Sequence, residues 1–102
     1  GIKDVMAEAR DVAGPKPTYI SYDIDFVDPT FAPGTGTPEV GGPNSFQAIQ
    51  VVRELEGVNI IGADLVEVSP PFDPSGGTAW LGVSIMFELL CVMAKNISEN
   101  NK

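Results

Sequence analysis

The order of hydrophobic patterns along this chain predicts an α/β fold with parallel strands. Three observations carry that prediction. "TYISYDID" (18–25) and "VNIIGADLVEV" (58–68) are short runs rich in β-branched, aromatic and aliphatic residues, as strands are. The segment between them holds one helical pattern, and two strands joined through a helix are parallel with a right-handed crossover. A long segment, 78–97, is apolar nearly all round, which predicts a helix covered on several sides.

Each element has local signals. Ile2, Val5, Met6 and Ala9 fall at helical spacing in residues 2–13, and Gly14, Pro15 and Pro17 end that helix. Residues 29–43 hold four Pro and four Gly, so neither a helix nor a central strand forms there. Asn44 is the expected N-cap of the next helix, with Gln47 completing a capping box, Phe46, Ile49, Val52 and Leu55 on one face, and Gly57 closing it. The second strand suits burial on both faces. "SPPFDPSGG" is a loop, and the tail "ISENNK" is expected to fray. The order is helix, strand, helix, strand, helix. Two strands and three helices make a poor domain by themselves, so the apolar last helix calls for more partners than these residues offer.

The 102 residues suffice for one small domain, with 43% hydrophobic and 20% charged residues in ordinary globular proportion. The formal net charge is −8, from 14 acidic against 6 basic residues. That balance argues against nucleic acid and anionic membrane, which need basic patches; by itself it reads as solubility, and it also suits a cationic ligand or a metal. The apolar core of the last helix, "AWLGVSIMFELLCVMA", carries Glu88 and is shorter than the about 20 residues a membrane span needs. Cys91, the single cysteine, excludes an internal disulfide; set in an apolar segment, it is expected to be a buried thiol, which is compatible with a reducing compartment. Histidine is absent. "GIKDVMAEAR" has no apolar signal core and no initiator Met, as expected for the interior of a longer chain.

The chemistry gathers in "SYDIDFVDPTFAPGTGTPEVGG" (21–42). On an extended strand Asp23 and Asp25, two apart, point the same way while Ile24 points into the opposite layer. They lie at the carboxyl end of the first strand, where open parallel sheets bind ligands. Glu67 lies at the carboxyl end of the second, so parallel pairing brings three acids to one edge. Carboxylates so gathered repel one another, and a divalent cation or a cationic substrate would offset that. Loop capping or plain solvation is the other reading of an Asp-x-Asp at a strand end. Asp28, before Pro29, suits an Asx-type bond to the turn backbone. Thr35 and Thr37 are compatible with turn formation alone, and Glu39 with a solvated loop charge. Trp80, Met86 and Phe87 suit core packing or a subunit contact. The Pro and Gly residues after the acids make a preorganised loop.

"SYDIDFVDPTFAPGTGTPE" closely resembles the signature of the ureohydrolase (arginase/agmatinase) family, in the form typical of its agmatinase-like branch. "GADLVEVSPPFD" and "TAWLGVSIMFELLC" are similar to the family's following blocks, so the resemblance runs from about Thr18 to Ala94. It implies an arginase-like fold, a three-layer α/β/α sandwich with a parallel sheet, of which residues 1–102 would be the C-terminal portion of a single domain, in a protein that forms homo-oligomers. It implies hydrolysis of a guanidino carbon–nitrogen bond with release of urea, using two manganese ions. Asp23 and Asp25 would be metal ligands, Asp25 would also shuttle a proton, and Glu67 would meet the substrate guanidinium, with Thr35 beside it. Agmatine is the expected substrate, with guanidinobutyrate or guanidinopropionate as the alternative, and the expected compartment is the cytoplasm or a mitochondrial matrix. The family's remaining metal ligands are histidines and aspartates in two upstream blocks that this chain lacks. The chain alone is therefore expected to be inactive. The other possibility is a non-catalytic short subunit that joins full-length chains through its last helix.

Overall fold

The computed structural model describes residues 1–100. Helix α1 (Ile2–Ala13) leads to strand β1 (Thr18–Asp23), helix α2 (Ser45–Arg53), strand β2 (Ile60–Val66) and helix α3 (Gly77–Asn100). Single 3-10 turns follow each strand, at Ile24–Phe26 and Pro70–Phe72. The two strands pair in parallel, with Ser21 opposite Asp64 and Asp23 opposite Val66. This is the α/β order expected. Helices lie on one face of the sheet among the described residues, so two of the three expected layers are present.

The core forms where Tyr22 and Ile24 meet Ala48 and Val52 of α2 and Leu81, Ile85, Leu89 and Val92 of α3. Tyr22 also donates its hydroxyl to the Ala48 carbonyl at 2.8 Å, which satisfies a polar tip inside an apolar layer. The opposite face of β1 presents Tyr19, Ser21 and Asp23 to solvent. Parallel sheets are normally covered on both faces, so this sheet has half of the cover its architecture calls for.

Helix α2 starts as expected. Asn44 Oδ1 accepts from the Gln47 N–H and Gln47 Oε1 accepts from the Asn44 N–H, a complete capping box. The cap fixes the helix phase so that Ala48 and Val52 point inward, four residues apart, and Phe46 is 70% exposed instead of lining the core. Helix α3 is longer than expected. The stretch Ile97–Asn100 is helical, and only residues 101–102 of the tail lie outside the described residues. Its inward stripe runs through Thr78, Leu81, Ile85, Leu89, Val92 and Asn96. Cys91 is two residues beyond Leu89, about 200° around the helix, and is exposed instead of buried. Trp80, Met86 and Phe87 are exposed as well, at 74, 51 and 64%. By length and composition alone α3 is able to cross a membrane, as core helices of soluble proteins also are. Here its inward stripe packs on β2 and α2, and Arg53 grips Glu88 with two hydrogen bonds, at 3.1 and 2.8 Å.

Asn96 locks the turn between α2 and β2 to the end of α3. Its side chain, 4% exposed, accepts from the Gly57 N–H and donates to the carbonyls of Leu55 and Val58. Removing it strands buried backbone groups. Asn96→Ala is expected to lower the unfolding free energy by about 3 kcal/mol, measured by chemical denaturation; a loss indistinguishable from that of a surface substitution would refute the lock.

Candidate metal and substrate site

The carboxyl end of β1 does not continue as a strand to Asp25. Asp23 Oδ1 accepts from the Asp25 N–H at 3.0 Å, and this side-chain bond to the backbone two residues on closes a 3-10 turn in place of another strand pair. Ile24 is fully buried by the turn, as the core packing requires. Asp23 and Asp25 are thus brought together by a turn, and strand alternation is not what aligns them. Their carboxyl groups interact: partial burial, with the Asp25 carboxyl beside it, pushes the Asp23 pKa up. Asp25 is half-buried, and its Oδ2 accepts from the Thr37 hydroxyl at 2.7 Å.

The loop that follows is pinned at several points. Asp28 accepts from Thr30 N–H at 2.9 Å, the Asx-type bond expected, and from Gly41 N–H at 3.0 Å. Its own N–H donates to the Pro43 carbonyl. One aspartate therefore ties the start of the loop to its end. The middle is clamped against the start of α3. Gly34 N–H donates to Thr78 Oγ1, and the Gly34 carbonyl accepts from Ser69 N–H. A Cβ on Gly34 would stand 2.5 Å from that of Asp73, and one on Gly42 would stand 2.3 Å from the Phe26 carbonyl oxygen. At both positions the close backbone approach admits only glycine. Asp73 in turn caps α3, accepting from the N–H groups of Thr78 and Ala79 at 3.0 Å each.

Glu67 lies outside β2, in place of the strand position expected. It follows Val66, the register partner of Asp23, so it stands at the same sheet edge. It is exposed, and its φ of 73° is the one positive value outside glycine among the described residues. Such a conformation is costly for a residue with a Cβ and concentrates at functional positions. Thr35 is 2% exposed, with its N–H bonded to the Pro33 carbonyl and its Oγ1 without a hydrogen-bond partner among the described residues. No three His, Cys, Asp or Glu side chains converge as a metal site among the described residues, so Glu67 does not join the Asp23–Asp25 pair. An open depression beside Asp23 is lined by Ser21, Tyr22, Phe26 and Val51.

Sequence reasoning passed over Asp64. Its carboxylate accepts from Tyr19 OH at 2.8 Å and Ser21 Oγ at 2.7 Å, on the uncovered sheet face two register positions from Asp23. An aspartate inside an otherwise apolar strand was the available signal. The Thr37–Asp25 contact had none, because it joins residues twelve apart through a loop closed by Asp28.

Asp28 and Asp73 are both held below the usual carboxylate range by the backbone N–H groups they accept. A carboxylate with a lowered folded pKa contributes stability above its unfolded pKa of about 3.9 and loses it as pH falls through the folded value. The melting temperature is expected to fall as pH drops below about 4. In the Asp28→Asn/Asp73→Asn double variant the acid-dependent part of that fall should shrink; an unchanged profile would exclude these two groups as its source.

Comparison with known proteins accords with this geometry. The Arginase family profile matches residues 1–92. A guanidinopropionase of Pseudomonas aeruginosa is 56% identical over 100 residues, covering 98% of this chain and 31% of that protein. A mitochondrial agmatinase of Gallus gallus is 53% identical over 89 residues, covering 87% of this chain and 26% of its own length. The crystal structure of a hypothetical agmatinase from Burkholderia thailandensis superposes with a TM-score of 0.92 at 43% identity, over 97% of this chain and 32% of that one. The chain thus spans about a third or less of these relatives. The profile match over residues 1–92, the superposing parallel α/β frame and the identity to these relatives converge, and the chain belongs to the arginase family.

Proposed function

We propose that these residues form part of the active centre of an enzyme that hydrolyses a linear guanidino compound to urea and an amine, with manganese bound at Asp23 and Asp25. The observation that carries the reading is the Asp23–Asp25 pair, held at the carboxyl end of β1 by a turn and a pinned loop in a chain of this family. The donor set fits in part. Two hard carboxylates whose like charges repel are suited to a divalent manganese ion, and Asp23 Oδ2 and Asp25 Oδ1 are the oxygens outside the two hydrogen bonds described. The chain has no histidine, so the remaining ligands come from outside it.

When bound, a manganese pair supplies a water acidic enough to act as a nucleophile at neutral pH. Glu67 holds the planar guanidinium through charge-assisted hydrogen bonds and turns its carbon toward that water. Asp25 takes up the proton that the attacking water gives up and passes it to the departing amine nitrogen as the carbon–nitrogen bond breaks. Thr35 supplies a hydroxyl without a hydrogen-bond partner among the described residues. Agmatine is the leading substrate on the "APGTGTPE" signature, and guanidino acids are the alternative. Relatives named for either class are similarly close, at 53% and 56% identity. The substrate's far end is read by residues beyond these 102, and the compartment in this reading is cytoplasm or mitochondrial matrix, as a chain without disulfides suits.

A second reading rests on α3. Trp80, Val83, Phe87 and Leu90 are exposed at three- and four-residue spacing, with Ile97 two turns further on, a stripe suited to another helix. In that reading the chain is a non-catalytic subunit that joins full-length chains, and the same stripe serves homo-oligomer contacts.

The deciding experiment is manganese-dependent urea release with agmatine, guanidinobutyrate and guanidinopropionate as parallel substrates. The 102-residue chain alone is expected to release none, and the polypeptide at its full natural length to release urea from one of them. In the latter, Asp23→Asn should abolish turnover and manganese retention. Glu67→Gln should raise KM or lower kcat with manganese content unchanged. Full turnover in the Asp23 variant would refute the metal assignment, and metal loss in the Glu67 variant would reassign that residue.

A further inference from the structure

We infer that Thr37 is a positioning residue that aims the Asp25 carboxylate at the cation site. The inference rests on the proposal that Asp23 and Asp25 bind the metal. Asp25 lies beyond β1, so strand alternation does not set its direction. The 3-10 turn fixes its backbone, through the bond from its N–H to Asp23 Oδ1, but not the carboxylate plane. The terminal torsion of an aspartate is broad and nearly free in the absence of a partner. The Thr37 hydroxyl is that partner, donating to Oδ2 at 2.7 Å, the short length of a charge-assisted bond.

For Thr37 to aim anything, it must itself be held, and the loop does this from both sides. Three residues before it, Gly34 is clamped between Thr78 and Ser69. Four residues after it, Gly41 is tied to Asp28, whose N–H also holds Pro43. Thr37 therefore reaches Asp25 from a frame anchored to α3 and to the end of β1. With Oδ2 engaged, Oδ1 is the oxygen outside that bond. A neutral donor on Asp25 also eases its repulsion with Asp23. Groups that orient a metal-binding side chain in this way commonly set metal affinity by ten- to a hundredfold.

The test uses the polypeptide at its full natural length and Mn2+ itself as the probe. Manganese affinity is measured by titration with detection of free Mn2+ by electron paramagnetic resonance, and metal-free melting temperatures are recorded alongside. Thr37→Val keeps the shape and removes the donor; it is expected to weaken Mn2+ binding about tenfold. Thr37→Ser keeps the donor and removes the methyl group; it is expected to restore wild-type affinity. Neither should shift the metal-free melting temperature appreciably. Wild-type affinity in Thr37→Val, equal losses in both variants, or an affinity loss matched by a collapse of the metal-free melting temperature would each overturn the inference. Asp25→Asn separates the two levels. If it binds Mn2+ as the wild type does, the ligand assignment itself fails; if it loses Mn2+ while Thr37→Val does not, only the role of Thr37 fails.

Discussion

The parallel pairing of β1 and β2 is the constraint on which the rest of this molecule depends. With Asp23 opposite Val66, both chains leave the sheet at the same edge. Every chemically suggestive residue then follows from that exit: Asp23 and Asp25 in the first turn, Glu67 one residue past the second strand. An antiparallel pair would send the two segments to opposite ends, and the acids would never share an edge. The crossover through α2 makes the parallel arrangement obligatory, and the capping box at Asn44 sets where that helix starts and which side it buries.

Charge is what the edge has to manage. Acidic groups brought together raise one another's pKa values unless a cation or hydrogen-bond donors intervene. The molecule treats its acids differently. Asp28 and Asp73 are surrounded by backbone N–H groups and serve the loop and the α3 terminus. Asp64 is engaged by two hydroxyls. Asp23 and Asp25 face each other with one donor apiece, and Glu67 stands in a backbone conformation that only a compensating function or context justifies. Structural acids are thus satisfied locally and candidate functional acids are left with capacity to spare.

The surfaces tell a parallel story. One sheet face is uncovered, and α3 shows a stripe from Trp80 to Ile97 that no described residue packs upon. The chain spans about 31% of the guanidinopropionase it resembles, over the same stretch for which a solved relative superposes closely. The α3 stripe is apolar, whereas the uncovered sheet face carries Tyr19, Ser21, Asp23 and Asp64, so the two surfaces differ in chemistry.

Much of this was legible from residue order. The α/β class, the parallel strands, the Asn44 cap, the Asp28 turn bond and the family follow from periodicity, Pro and Gly placement and a long motif, because each is local in the chain. Less legible were the places where distant segments decide. Strand alternation implied a straight run to Asp25, but the Asp23 side chain captured the Asp25 N–H and ended the strand early. An all-apolar helix implied a buried Cys91, but α2 and β2 cover only one side of it. Glu67 read as a strand residue because its positive φ leaves no mark in composition. The sequence by itself determined which elements form and which residues have the right chemistry. Only tertiary structure decided where the Asp25 carboxylate points, since its direction is set by a hydrogen bond from Thr37, twelve residues on, in a loop held by Asp28 and by the start of α3.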